Sequence, residues 1–76
     1  MKIDFNQLIK DSGESLTIPK LAQEMTDKGL FKNKKSAYDM IHYHINGKAR
    51  SVDFRLLLYL MKRFGKTAQE IINWEN

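Results

Sequence analysis

The chain contains no cysteine. Disulfide frameworks and cysteine-based zinc sites are therefore excluded, and the composition suits a reducing compartment such as the cytoplasm. A basic-then-apolar leader pattern is missing at the N-terminus. The longest apolar run, Leu56 to Met61, falls far short of the about 20 residues that span a bilayer, so no membrane partner is expected. A glycine-rich phosphate loop, a nucleophile motif and a recognisable pair of catalytic carboxylates are all missing, and neither catalysis nor a cofactor is expected. Strand periodicity, internal repeats and low-complexity stretches do not stand out either.

What is present is a short, well-mixed chain. Its 76 residues have room for one domain, 1–76, with a modest core that a second subunit would help to stabilise. Hydrophobic residues at 42% and charged residues at 29% indicate a globular chain rather than a disordered one. The net charge of +4 is unevenly spread. Between Lys28 and Arg50 stand Lys28, Lys32, Lys34, Lys35, Lys48 and Arg50 against the single acid Asp39, a local excess of five, so the remainder carries a net −1. Such a concentration is the footprint of a polyanion-binding face, with a solvated lysine-rich loop as the plainer alternative.

Hydrophobic spacing predicts five helices and hence an all-α fold. The first runs from Phe5 to Asp11, with Asp4 as cap, Gln7 three residues later, and Phe5, Leu8 and Ile9 on one face. The second starts at Thr17, a good N-cap, because Pro19 is tolerated only in a first turn. Its inner face is Ile18, Leu21, Ala22 and Met25, and Gly29 can end it in the left-handed conformation of a C-terminal cap. Leu30 to Lys35 reads as a loop in which Leu30 and Phe31 tuck under the domain. The third helix, about 36–46, turns Ala37, Ile41 and Ile45 inward, with help from Met40, and closes at Gly47. Ser51 caps a fourth helix that reaches Phe64. Its stripe is Phe54, Leu57, Leu58, Met61 and Phe64, and Leu56, Tyr59 and Leu60 extend the apolar surface around most of its circumference. Thr67 to Glu70 is a capping box that opens a short fifth helix.

Two stretches carry a family likeness. Leu16-Thr17-Ile18-Pro19-Lys20-Leu21-Ala22-Gln23 and Ile45-Asn46-Gly47-Lys48-Ala49-Arg50-Ser51 resemble the second helix and the end of the recognition helix in the phage repressor/Cro-like helix-turn-helix family, the lambda-repressor-like or XRE class. Leu57-Leu58, Phe64-Gly65 and Thr67 to Ile72 are similar to that family's later helices, so the likeness covers most of the chain from Leu16 onward. One departure is plain. Ala22 and Ile41 stand further apart than the family pattern wants, which requires a longer second helix, a longer turn, or both, within Thr26 to Lys35.

The resemblance implies a compact five-helix repressor-like domain that binds double-stranded DNA and controls transcription in a bacterial, phage or mobile-element setting. A major groove admits one α-helix, read by that helix's N-terminal residues. Lys35, Ser36, Tyr38, Asp39, His42 and Tyr43 are then the candidates to read bases, with Lys35 on guanine and Asp39 accepting from cytosine. Thr17, Lys20, Lys34, Lys48 and Arg50 would contact phosphates. The first turns hold no Arg, Asn or Gln, so the usual bidentate base contacts are missing. Alternatives stay open for several of these. Tyr38 and Tyr43 equally suit half-buried scaffold with a wet hydroxyl, and Asp39 equally suits simple charge–dipole stabilisation. His42 and His44, at i and i+2, point to opposite sides of a helix, so no metal site is expected, and His44 reads as a residue at the edge of the core. A homodimer through Leu56, Leu60, Ile72 and Trp74 would set two recognition helices about 34 Å apart. The rival reading is a small helical adaptor whose basic loop meets an acidic protein partner, of antirepressor or antitoxin type.

Overall fold

Every helix of the chain begins where a side-chain oxygen accepts the backbone N–H three residues on. Asp4 accepts from Gln7 at 3.1 Å, Thr17 from Lys20 at 3.3 Å, Asn33 from Ser36 at 2.8 Å, Asp53 from Leu56 at 3.1 Å and Thr67 from Glu70 at 3.4 Å. Each such cap contributes about 0.5–2 kcal/mol and satisfies a donor that the helix itself leaves orphaned. The resulting elements are β1 (Lys2–Ile3), α1 (Phe5–Asp11), α2 (Ile18–Asp27), α3 (Lys34–Ile45), α4 (Phe54–Phe64), α5 (Ala68–Ile71) and β2 (Ile72–Asn73). The structure, a computed structural model, describes residues 1–73.

Two caps differ from the sequence-based expectation. Asn33 starts α3 at Lys34 rather than near Ser36, and Asp53, not Ser51, starts α4. The physical reason is the same in both places. Asn33 and Asp53 sit in extended backbone with a side-chain oxygen within reach of the N–H of Ser36 and Leu56. Thr67 and Glu70 form the reciprocal capping box that the sequence announces. Gln7 does not complete the corresponding box at Asp4: its side-chain amide donates to Asp11 Oδ1 at 2.7 Å instead.

The core draws on every helix. Phe5 and Leu8 of α1, Leu21, Ala22 and Met25 of α2, Ala37 and Ile41 of α3, Leu56 and Leu60 of α4 and Ile71 of α5 are all buried. The fold is predominantly helical, as the periodicity predicts. α2 packs chiefly on α3, and both supply a fully buried alanine, Ala22 and Ala37, which lets helix axes approach closely.

Among the described residues, the one departure from an all-helical fold joins the segment before α1 to the segment after α5. β1 and β2 pair antiparallel, Lys2 opposite Asn73 and Ile3 opposite Ile72, burying both isoleucines. A two-residue strand has no room for an alternating pattern, so periodicity could not reveal it.

A second set of tertiary ties surrounds Arg63. Its guanidinium donates to both carboxylate oxygens of Glu14 at 2.9 Å, and its Nε donates to Glu24 at 2.8 Å. α4 is thereby fastened to α2 and to the connection that precedes it. These two carboxylates, Glu14 first, raise the Arg63 pKa, and the hydrogen bonds and charge of the Arg63 guanidinium hold Glu14 below the ordinary carboxylate value. Lys66 ties the α4–α5 junction to Asp11 at the end of α1, at 3.3 Å.

Candidate nucleic-acid interface

α3 divides cleanly into two faces. Ala37, Ile41 and His44 are buried, while Lys34, Lys35, Ser36, Tyr38, Asp39 and Tyr43 are exposed. Five of the six candidate base readers thus lie on the open face. The sixth, His42, is half-buried. Its ring lies against Tyr38 with centroids 4.4 Å apart, and its Nε2 is enclosed without a hydrogen-bond partner. That nitrogen is covered rather than presented outward.

The exposed face is not uniformly free to read bases. Lys35 Nζ lies 2.6 Å from Asp39 Oδ2, so the best guanine reader and the one acid neutralise each other across a single turn. Both side chains are well exposed, and an i,i+4 pair of this kind is worth only about 0.3–0.5 kcal/mol. A base edge or phosphate can open it at little cost.

The start of α2 comes up beside the start of α3. Pro19 lines a shallow surface depression together with Lys34, Lys35 and Tyr38. Thr17 and Lys20 are exposed on this side of the sequence, next to Pro19. Thr17 Oγ1 accepts from the Lys20 backbone N–H, which leaves its own hydroxyl hydrogen to donate. Lys20 Nζ donates to the Ser15 carbonyl at 3.1 Å, an exposed contact that is readily exchanged.

At the far end of α3, Gly47 takes φ 73°, a left-handed conformation that glycine adopts at no steric cost. The chain therefore leaves the helix sharply into Lys48 and Arg50, both exposed. Lys34, Lys48 and Arg50 form no ion pair among the described residues. The same holds for Lys28 and Lys32 in the connection before α3, which the sequence reading counts as charge without giving them a role. That connection runs from Lys28 to Asn33. It exceeds the about 3–4 residues of an ordinary helix-turn-helix turn, so at least part of the extra length between Ala22 and Ile41 lies there.

The inner face of α3 holds a residue whose importance the sequence hides. His44 is buried, at 4% exposure, instead of sitting at the core's edge. Its Nδ1 accepts the Ile3 backbone N–H at 3.0 Å, and its ring meets Phe5 edge-on at 5.6 Å. Nδ1 must be unprotonated for this bond, which puts the neutral ring's proton on Nε2. Burial, and then the positive N-terminus, hold the His44 pKa below its ordinary 6.5. The latch joins α3 to β1, a partnership 41 residues apart in sequence.

The expected dimer surface is corrected here. Leu56, Leu60 and Ile72 are 2%, 0% and 6% exposed within the single chain, so they form its core and present no face to a second copy. Trp74 lies outside the described residues. The apolar side chains that α4 does expose are Phe54 and Leu58, at 70% and 49%, two members of the stripe expected to be inward. Leucines stand on adjacent rows of this helix, so the sequence offers little polar contrast to fix its rotation; the Leu56–Leu60 row wins.

Among the described residues, no three His, Cys, Asp or Glu side chains come together as a metal site. No helix among the described residues is long and apolar enough to cross a membrane. We find no family model, curated protein or solved structure that matches the chain.

Proposed function

We propose that the chain is a helix-turn-helix module that binds duplex DNA through α3 and regulates transcription. One observation carries the reading. Both α2 and α3 place lysine, and no acid, in their first turns: Lys20 at the start of α2, and Lys34 and Lys35 at the start of α3. A helix N-terminus already carries about half a positive charge, so lysine there is the unfavourable choice for an isolated domain. The two positive ends meet around Pro19, Lys34, Lys35 and Tyr38. A phosphate backbone laid across them relieves the repulsion and accepts the free backbone N–H groups as well.

In this reading Lys34, Lys48 and Arg50 hold phosphates on either side of α3, with Thr17 and Lys20 setting register from α2. Ser36, Tyr38, Asp39 and Tyr43 face the groove, and Lys35 reads a base once released from Asp39. The alternative, an adaptor for an acidic protein partner, draws support from that same Lys35–Asp39 pair, which occupies two of the base readers. Fluorescence anisotropy on random duplex pools across a salt series separates them. Binding whose log K falls by about 0.9 per phosphate contact for each decade of salt supports the DNA reading. Enrichment of one site supports a regulator, and binding without preference supports an architectural role. No binding at low salt overturns the DNA reading in favour of the adaptor.

A further inference from the structure

A cleft of about 350 Å³ opens where the connection before α3, the helix α3 itself and the start of α4 meet. That volume lies within the about 300–1,000 Å³ typical of small-molecule sites. Its walls are largely apolar, from Leu30, Phe31, Met40 and the buried Leu56, with Tyr43, His44 and Ser51 adding polar atoms. Two arginines, Arg50 and Arg55, also line it. Arg50 forms no ion pair among the described residues, and Arg55 Nη2 reaches only the Gly29 carbonyl at 3.5 Å, beyond the usual N–H···O range. The single lining acid, Asp53, is occupied as the cap of α4, accepting the Leu56 N–H at 3.1 Å. An apolar cavity with two underused guanidiniums is complementary to a hydrocarbon body bearing a carboxylate, whose two oxygens match the guanidinium fork.

We propose that this cleft binds a small apolar carboxylate, a monoanion with an aromatic or branched hydrocarbon body, and that its occupancy competes with DNA for Arg50. The competition rests on the DNA reading above; the cleft does not. Such a ligand makes the module responsive to a metabolite, because one side chain serves both the effector and a phosphate.

The test is titration of the full chain with 3-phenylpropionate, followed by amide chemical shifts. 3-Phenylpropionamide supplies the body without the charge, and acetate supplies the charge without the body. Saturable shifts centred on Phe31, Met40, Arg50 and Leu56 are expected, with both controls at least roughly tenfold weaker. Arg50→Gln and Arg55→Gln should each weaken binding of the acid about tenfold. Ala49→Phe, which narrows the cleft and keeps both arginines, should abolish it. Saturating acid should also raise the Kd for duplex DNA several-fold in the parent chain and not in Ala49→Phe. Absence of saturable shifts, equal shifts with acetate, or shifts confined to Lys34 and Lys48 overturn the cleft assignment, even if DNA binding is intact. If the acid binds and DNA does not at any salt, the DNA reading and the competition fall together while the cleft stands.

Discussion

Arg63 of α4 and Lys66 at its junction with α5 are bound into the fold by carboxylates, and Lys34, Lys48 and Arg50 around α3 are not. Arg63 spans Glu14 and Glu24, and Lys66 reaches Asp11. Lys34, Lys48 and Arg50 have the same kind of charge and no ionic partner among the described residues. The difference teaches how to divide a modest net charge of +4. Positive charge that meets carboxylates within the chain stabilises tertiary contacts and is unavailable to a ligand. Lysine gathered at the N-termini of α2 and α3 is kept at some cost to the isolated fold, which a polyanion recovers on binding, whereas Lys48 and Arg50, beyond the C-terminal end of α3, carry no such cost.

The sharpest way to break the comparison is to neutralise the uncommitted set. Lys34→Ala, Lys48→Ala and Arg50→Ala combined should lower the salt exponent of DNA binding by about 2.7. That corresponds to on the order of a hundredfold in affinity at physiological salt. Unfolding stability should stay within about 0.5 kcal/mol of the parent, as for other surface changes. An unchanged salt exponent would place the DNA contacts elsewhere.

The committed set should behave inversely. Arg63→Ala strands the partly buried Glu24 beside Tyr59 and releases Glu14, and should cost about 1–3 kcal/mol in denaturant unfolding. The figure is kept below that of a fully buried pair because the glutamates are 50% and 37% exposed. The salt exponent of DNA binding should be unaffected under conditions where the variant is folded.

pH sharpens the contrast further, since none of the uncommitted cations is a histidine. The His44 pKa is held below its ordinary 6.5 in the fold. As pH falls below 6.5 the unfolded chain takes up a proton that the folded chain resists, so stability present above that value should decline. Protonation also turns Nδ1 from acceptor to donor against the Ile3 N–H. Denaturant midpoints at pH 7.5, 6.5 and 5.5 should decrease in that order, and His44→Gln should flatten the trend. A trend as steep in His44→Gln as in the parent would assign it to another group.

The smallest expected effect is at Asp39→Ala. It removes an exposed pair, so stability should move by less than about 0.5 kcal/mol. Freed Lys35 should change which duplex is preferred, read by selection from a random pool. Identical preferences in parent and variant would take both residues out of base reading.

Much of this architecture is legible from local chemistry. Asp4, Thr17 and Thr67 are recognisable caps, Pro19 fixes where α2 starts, and Gly29 and Gly47 mark the ends of two helices. The outward set on α3 follows from Ala37 and Ile41 being four residues apart. What escapes is whatever depends on a distant partner or on a choice among equals. Asn33 and Ser36 both make plausible caps, and only the path of the preceding connection decides between them. The Leu56–Leu60 row and the Phe54–Leu58 row are equally apolar, so the rotation of α4, and with it the face open to a partner, is set by packing against the other helices. The cleft beside Arg50 and Arg55 draws its walls from three separate segments and has no signature along the chain.

The sequence by itself therefore determined the helices, the caps Asp4, Thr17 and Thr67, and the charge concentrated between Lys28 and Arg50, because local capping, helical period and charge are properties of near neighbours. Only the tertiary structure decided which cations are spent on Glu14, Glu24 and Asp11, that His44 latches β1 to α3, and that Lys2–Ile3 pairs with Ile72–Asn73 as strands. Those outcomes turn on contacts between residues dozens of positions apart, where the favourable partner is chosen by the packing of the whole domain.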